Sequence, residues 1–131
     1  MKLEARIARS IKRREGVVVL RSDVAPLGSP AQVGRVLAKM VNDGRLLRVS
    51  RGVYCKTRIN KWTGRLAPAA PFEVIAAETF RRLRIEVSPG RLTRDYNAGL
   101  TTQLPVSGVV STGKRRIRRK IQVGRKAVTY E

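Results

Sequence analysis

The spacing of apolar residues predicts helices and a short strand in the first part of the chain. Leu3, Ile7 and Ile11 lie four residues apart, which indicates a helix that ends near Gly16. The β-branched run at 17–20 predicts a buried strand. We expect a short second helix at 23–28, with its start capped by polar residues at 22 and 23.

A longer apolar stripe predicts a third helix. Its members recur at helical spacing: Val33, Val36, Leu37, Met40 and Val41. Ser29 stands where an N-cap is expected, Pro30 at the first helical position and Gln32 at the third, so the three predict a capping box. The run 42–44, Asn-Asp-Gly, ends this helix.

After residue 44 the pattern changes from helical spacing to alternation, which predicts a β-hairpin. We expect Leu47 and Val49 on one side of the first strand and Arg48 and Ser50 on the other. Beyond a turn at 50–52, residues 53 and 55 again point inward. The order helix, strand, helix, helix, hairpin is that of a winged helix-turn-helix.

The remainder of the chain predicts a second lobe. Residues 57–71 show little periodicity and read as a basic connector. A helix is expected from residue 72, followed by strand-like segments and a hairpin turn at 124–126. The predicted class is therefore α+β, an N-terminal winged helix-turn-helix followed by a small α+β lobe with a C-terminal β-hairpin. The predicted domains are 1–56, the connector 57–71, and the lobe 72–131.

The net charge of the chain limits the range of possible functions more than any other feature of the sequence. The chain has 29 Lys and Arg against 9 Asp and Glu, a formal net charge of +20. Such a charge repels itself in a compact fold, and nucleic-acid phosphates are the commonest partners that offset it. The sequence has no apolar run of about 18 residues and no basic amphipathic helix with aromatic anchors, so we expect no membrane partner.

Enzymatic chemistry has little support. The chain has no His and a single Cys, at position 55, which excludes His-dependent catalytic triads and zinc sites of the usual type. We expect a protein that is not an enzyme and needs no cofactor. The lone Cys and the charged N-terminus, which lacks the apolar core of a signal peptide, predict a cytoplasmic protein.

The third helix supplies the first candidate DNA-binding residues. They lie on its polar side and at its N-terminus: Ser29, Ala31, Gln32, Arg35 and Lys39. Arg35 suits a bidentate contact with guanine, and Gln32 one with adenine. The alternative is that Ser29 and Gln32 only cap the helix and that Arg35 is solvated.

The hairpin and a basic run near the C-terminus supply the others. The wing candidates are Arg48, Ser50 and Arg51, whose side chains would reach a phosphate backbone or a minor groove. The basic-strand candidates are Lys114, Arg115, Arg116, Arg118 and Lys120. A solvated hairpin explains the first set equally simply, and an edge strand protected against aggregation explains the second.

Two segments resemble signatures of the AbiEi-type antitoxins of type IV toxin–antitoxin and phage abortive-infection systems. They are LLRVSRGVYCK, after the third helix, and NAGLTTQLP at 97–105, followed by a basic strand and a glycine-turn hairpin. The resemblance spans nearly the whole chain. It implies a winged-helix transcriptional repressor of its own operon that also counteracts a nucleotidyltransferase-like toxin.

Our leading hypothesis is a sequence-specific repressor that binds double-stranded operator DNA and autoregulates a toxin–antitoxin or mobile-element operon. Homodimerisation and a cognate toxin are left open as further partners. Two alternatives also stay open: a protein that binds structured RNA or the ribosome, and an antitoxin that acts by binding a protein toxin.

Overall fold

The structure is a computed structural model that describes residues 2–89, 109–112 and 117–130. Helices and strands are mixed in each of two units, Met1–Ala69 and Ala70–Glu131, so the predicted α+β class is confirmed. The segment 97–105, which carries one of the two family signatures, lies outside the described residues.

Three helices form the first part of unit 1. They are α1 at Leu3–Arg13, the short α2 at Arg21–Val24 with a 3₁₀ turn at Ala25–Leu27, and α3 at Pro30–Asn42. The second helix begins two residues earlier than expected. It does so because the Asp23 carboxylate accepts a hydrogen bond from the backbone N–H of Leu20 at 2.9 Å, which satisfies a donor at the helix start.

Four strands complete unit 1: β1 at Val18–Leu20, β2 at Leu46–Ser50, β3 at Val53–Ile59 and β4 at Leu66–Pro68. The sheet order is β1-β3-β2, with both neighbours antiparallel to β3, and β4 pairs with the second half of β3. Because β1 pairs with β3, the short strand before α2 lies beside the second strand of the hairpin that follows α3.

The core of unit 1 is built by the apolar stripes of the helices. Its buried members come from α1, β1, α2, α3 and β2: Ile7, Ile11, Val19, Val24, Val33, Leu37, Met40 and Leu46. Partly buried Leu27 and Tyr54 pack against this cluster. The predicted stripe on α3 thus faces inward, and the opposite side of α3 is left exposed.

The segment predicted as a connector is structured over most of its length. Residues 57–59 continue β3, and β4 at 66–68 pairs with them, Thr57 opposite Pro68 and Ile59 opposite Leu66. The hairpin tip is ordered by Asn60, whose Oδ1 accepts the backbone N–H groups of Trp62 and Thr63. The segment lacked a clear period because both Ile59 and Leu66 are exposed, at 65% and 52%.

The described residues of unit 2 form one helix, α4 at Phe72–Arg82, and short strands. The strands are β5 at Ser88–Pro89, β6 at Val109–Ser111, β7 at Gln122–Val123, β8 at Lys126–Ala127 and β9 at Thr129–Tyr130. β6 pairs with β5 and, in parallel, with β9, while β7 and β8 form the C-terminal hairpin. The rings of Phe80 and Tyr130 meet edge to face at 6.2 Å, and burial raises the pKa of Tyr130.

Candidate nucleic-acid interface

The N-terminus of α3 has the predicted capping box. Ser29 Oγ accepts the backbone N–H of Gln32 at 3.2 Å, and Gln32 Oε1 accepts the backbone N–H of Ser29 at 3.3 Å. The cap therefore occupies the amide oxygen of Gln32. A bidentate contact with adenine needs both amide atoms, so Gln32 could read a base in this way only by giving up its cap.

The outward face of α3 is formed by exposed side chains. Ala31, Gln32, Arg35 and Lys39 are all exposed, as is Ser29 at the cap. Arg35 lies one turn after Ala31, near the centre of this face, and it makes no hydrogen bond or ion pair within the described residues. Arg35 is therefore the base-reading candidate that the structure leaves most available.

Lys39 differs from Arg35 because it has an intramolecular partner. Its Nζ lies 3.0 Å from Glu4 Oε2 on α1, and Arg45 binds the other oxygen of the same carboxylate. Hydrogen bonds from Arg45 and Lys39 lower the pKa of Glu4 below its usual range. Lys39 thus helps to fasten the C-terminal half of α3 to α1, and part of its charge is neutralised there.

The β2–β3 turn has two residues, Arg51 and Gly52. Gly52 has φ +70°, a conformation that costs glycine little and strains other residues. Arg48 and Arg51 are exposed, in keeping with the sequence analysis.

Ser50 does not have the exposed position expected of it. It is buried, with 7% of its surface accessible. The register explains the difference: Arg48 pairs with Tyr54 and Ser50 with Val53, so two steps along β2 match one along β3. This bulge breaks the alternation on which the prediction relied and turns Ser50 inward.

Arg21 connects the β2–β3 turn to the first turn of α3. Its backbone N–H donates to the carbonyl of Gly52 at 2.9 Å, and its Nη2 donates to the carbonyl of Pro30 at 2.7 Å. The guanidinium also lies against Gly34, where a Cβ would come within 3.1 Å of Nη2. A single residue thus holds the turn beside the exposed face of α3.

Sequence reasoning missed Arg21, although one signal was present. Glycine inside a helix costs up to about 1 kcal/mol relative to alanine, so an internal glycine often marks a close approach by another group. Gly34 has this role, since its missing side chain makes room for the Arg21 guanidinium. The identity of the approaching group depends on the tertiary fold and is not encoded locally.

The basic run near the C-terminus is only partly within the described residues. Lys114, Arg115 and Arg116 lie outside them. Arg118 and Lys120 are exposed and Ile121 is buried, so the predicted alternation of burial holds. The predicted strand does not form over 117–121: within the part of the chain that the structure describes, these residues have no strand partner, and pairing begins with Gln122 in β7.

The described residues offer few other kinds of site. Among residues 2–89, 109–112 and 117–130, no cluster of three or more His, Cys, Asp or Glu could hold a metal ion. No helix in the same ranges has the length and apolar character needed to cross a membrane. Cys55 is buried in β3.

Comparison with known proteins gives a family and no function. No curated protein matches the chain, and no solved structure matches it. One family model matches residues 6–131, nearly the whole chain. The protein therefore belongs to DUF6088, a family of unknown function.

Proposed function

We propose that unit 1 is a winged helix-turn-helix that binds double-stranded DNA, and that the protein represses transcription of its own operon. The order α1-β1-α2-α3-β2-β3 and the sheet order β1-β3-β2 support this assignment. In it, α3 is the recognition helix and the β2–β3 hairpin is the wing.

The observation that carries the proposal is the double contact of Arg21. By binding both Gly52 and Pro30, Arg21 holds the wing turn at the flank of the exposed face of α3. We therefore assign Arg35 on the helix and the exposed wing arginines Arg48 and Arg51 to one cationic surface. A surface of this kind suits a duplex, which presents a groove with a phosphate backbone beside it.

Each part of this surface has its own role in the proposed complex. The N-terminal half of α3 enters the major groove, where Arg35 donates to O6 and N7 of a guanine. Arg48 and Arg51 bind the adjacent backbone or minor groove, which positions the protein without reading sequence. The N-terminal dipole of α3 adds to the attraction for phosphate.

The biological role rests on the resemblance to AbiEi-type antitoxins and extends beyond the geometry. Repression of its own operon and neutralisation of a nucleotidyltransferase-like toxin follow from that resemblance. A protein toxin is a proposed partner, and co-purification with the product of a neighbouring gene tests it.

A second candidate function, binding of RNA, is supported by the β3–β4 hairpin. Its tip carries Trp62, the only Trp of the chain, with 96% of its surface exposed, between the exposed cations Lys61 and Arg65. An exposed indole beside cations suits stacking on an unpaired base.

A competition experiment separates the two candidates. Labelled DNA from upstream of the protein's own gene is bound at fixed salt and challenged with random-sequence duplex or with folded RNA. We expect the upstream duplex to compete about 10³-fold or more better than random duplex. More effective competition by folded RNA than by the upstream duplex would favour the second candidate and contradict the first.

A further inference from the structure

A second cationic feature of unit 1 lies on α1. An open cleft of about 780 Å³ lies along α1, with Leu27 of the 3₁₀ turn after α2 also among its lining residues. Its lining residues are Arg6, Arg9, Ser10, Arg13, Arg14 and Leu27. No residue of α3 or of the β2–β3 turn is among them, so the cleft is distinct from the DNA-binding surface proposed above.

The spacing of the arginines explains how they come together. Residues 6, 9 and 13 follow one another at intervals of three and four, which places them on one side of a helix. Ile7 and Ile11 turn the other side of α1 into the core. Between residues 6 and 13 the helix rises about 10 Å, a length that exceeds a single phosphate group.

The four arginines are not equally neutralised. Arg14 forms an ion pair with Asp23 at 3.6 Å and donates to the Asp23 carbonyl at 3.1 Å. Arg6, Arg9 and Arg13 have no acidic partner within the described residues, and none of the described residues that line the cleft is acidic. An anion bound along this side of α1 would offset the mutual repulsion of these three exposed guanidinium groups.

Arg14 adds a second, independent observation. Its Nε is buried and has no hydrogen-bond partner within the described residues. Buried N–H groups without an acceptor are uncommon in native proteins. Arg14 also lines the cleft, so an anion bound there would place negative charge beside a guanidinium that has an unsatisfied donor.

We propose that the cleft on α1 is a binding site for phosphate groups. Planar guanidinium groups bind phosphate oxygens in pairs, and several of them along 10 Å of helix suit more than one phosphate, about the span given by the rise of α1. The phosphates have two sources with the same chemistry, the backbone of a bound nucleic acid or a free polyphosphate. Only the first source rests on the proposed function.

The test compares two double variants of α1. Arg9→Gln with Arg13→Gln removes two cleft charges, whereas Lys2→Gln with Lys12→Gln removes two exposed charges that do not line the cleft. Arg14 is kept because it holds Asp23. Circular dichroism checks that both variants remain folded.

The first measurement is calorimetric titration with inorganic pyrophosphate. We expect the cleft variant to lose about tenfold or more in affinity, and the lysine variant to bind like the wild type. The second measurement is the salt dependence of binding to duplex DNA. If backbone phosphates occupy the cleft, the slope of log K against log salt falls by about 1.8 in the cleft variant alone, about 0.9 for each phosphate lost.

The two measurements distinguish the sources. Loss of pyrophosphate binding with an unchanged DNA slope assigns the cleft to a free polyphosphate, and a reduced slope assigns it to the nucleic-acid backbone. If the two double variants behave alike in both titrations, the proposal is overturned. A wild-type protein that binds no duplex would contradict the proposed function and leave the pyrophosphate titration as the test of the cleft.

Discussion

The two faces of α3 differ in burial and in the contacts that their side chains make. Val33, Leu37 and Met40 are buried in the core, while Arg35 on the opposite face projects from the protein. The inner face makes many apolar contacts, whereas the one ion pair of the outer face among the described residues is at Lys39, near the C-terminal end. The comparison teaches that the inner face determines stability and that the outer face is available for binding.

The largest change should be a loss of stability caused by a substitution on the inner face of α3. Leu37 is fully buried, so Leu37→Ala removes apolar contacts and leaves a cavity. We expect a loss of about 2–5 kcal/mol in the free energy of unfolding. Denaturant unfolding followed by circular dichroism measures it. A loss below about 0.5 kcal/mol, the usual range of surface substitutions, would show that α3 does not pack as described.

A substitution on the outer face of α3 should weaken DNA binding and leave stability nearly unchanged. Arg35→Ala should leave the midpoint of unfolding nearly unchanged and weaken binding to the cognate duplex by about 1–3 kcal/mol. Arg58→Ala, which removes an exposed arginine of β3 that belongs to none of the proposed binding surfaces, is the matched control. Fluorescence anisotropy with cognate and random duplexes measures both. Equal losses of affinity for the cognate and the random duplex would show that Arg35 contacts only phosphate.

Gly34 lies between the two faces, and its replacement should separate stability from binding. In Gly34→Ala the new methyl group approaches Arg21 Nη2, the far end of a flexible side chain, which can move. Alanine favours the helix, so we expect stability to rise by up to about 1 kcal/mol. DNA affinity should fall because the displaced guanidinium no longer ties Arg21, whose backbone N–H holds the wing turn, to Pro30 of α3. Unchanged affinity would show that Arg21 does not position the wing.

The smallest effect concerns the ion pair at the end of the outer face. The pKa of Glu4 is lowered in the folded protein, so its stabilising effect is present above the pKa of an unfolded glutamate and is lost as pH falls through the folded value. Glu4→Gln should lower the melting temperature slightly at neutral pH, since exposed ion pairs contribute little. The difference from the wild type should vanish in acid. A difference in melting temperature that persists in acid would show that the charge of Glu4 is not the cause of the difference.

Local patterns predicted the helical part of unit 1 well. The capping box of Ser29 and Gln32, the inward stripe of α3 and the glycine turn of the β2–β3 hairpin were all predicted from neighbouring residues. Each depends on backbone hydrogen bonds or periodicity within a few positions, which a sequence shows directly.

The missed features depend on contacts between distant positions. Lys39 and Glu4 are 35 residues apart, and no local pattern pairs them. The bulge that buries Ser50 is a matter of register between two strands, and the strand β4 forms only because β3 extends to residue 59. The contacts of Arg21 with Gly52 and Pro30 likewise arise from the packing of four elements.

The most direct test of the shared surface is an NMR titration. The ¹⁵N-labelled protein is titrated with duplex DNA, and amide shifts are followed for α3 and the β2–β3 turn. We predict that the amides of residues 29–39 and 48–53 shift together, with the same apparent affinity. Shifts confined to one of these segments, or to residues 60–65 alone, would contradict the claim that α3 and the β2–β3 turn bind the same duplex.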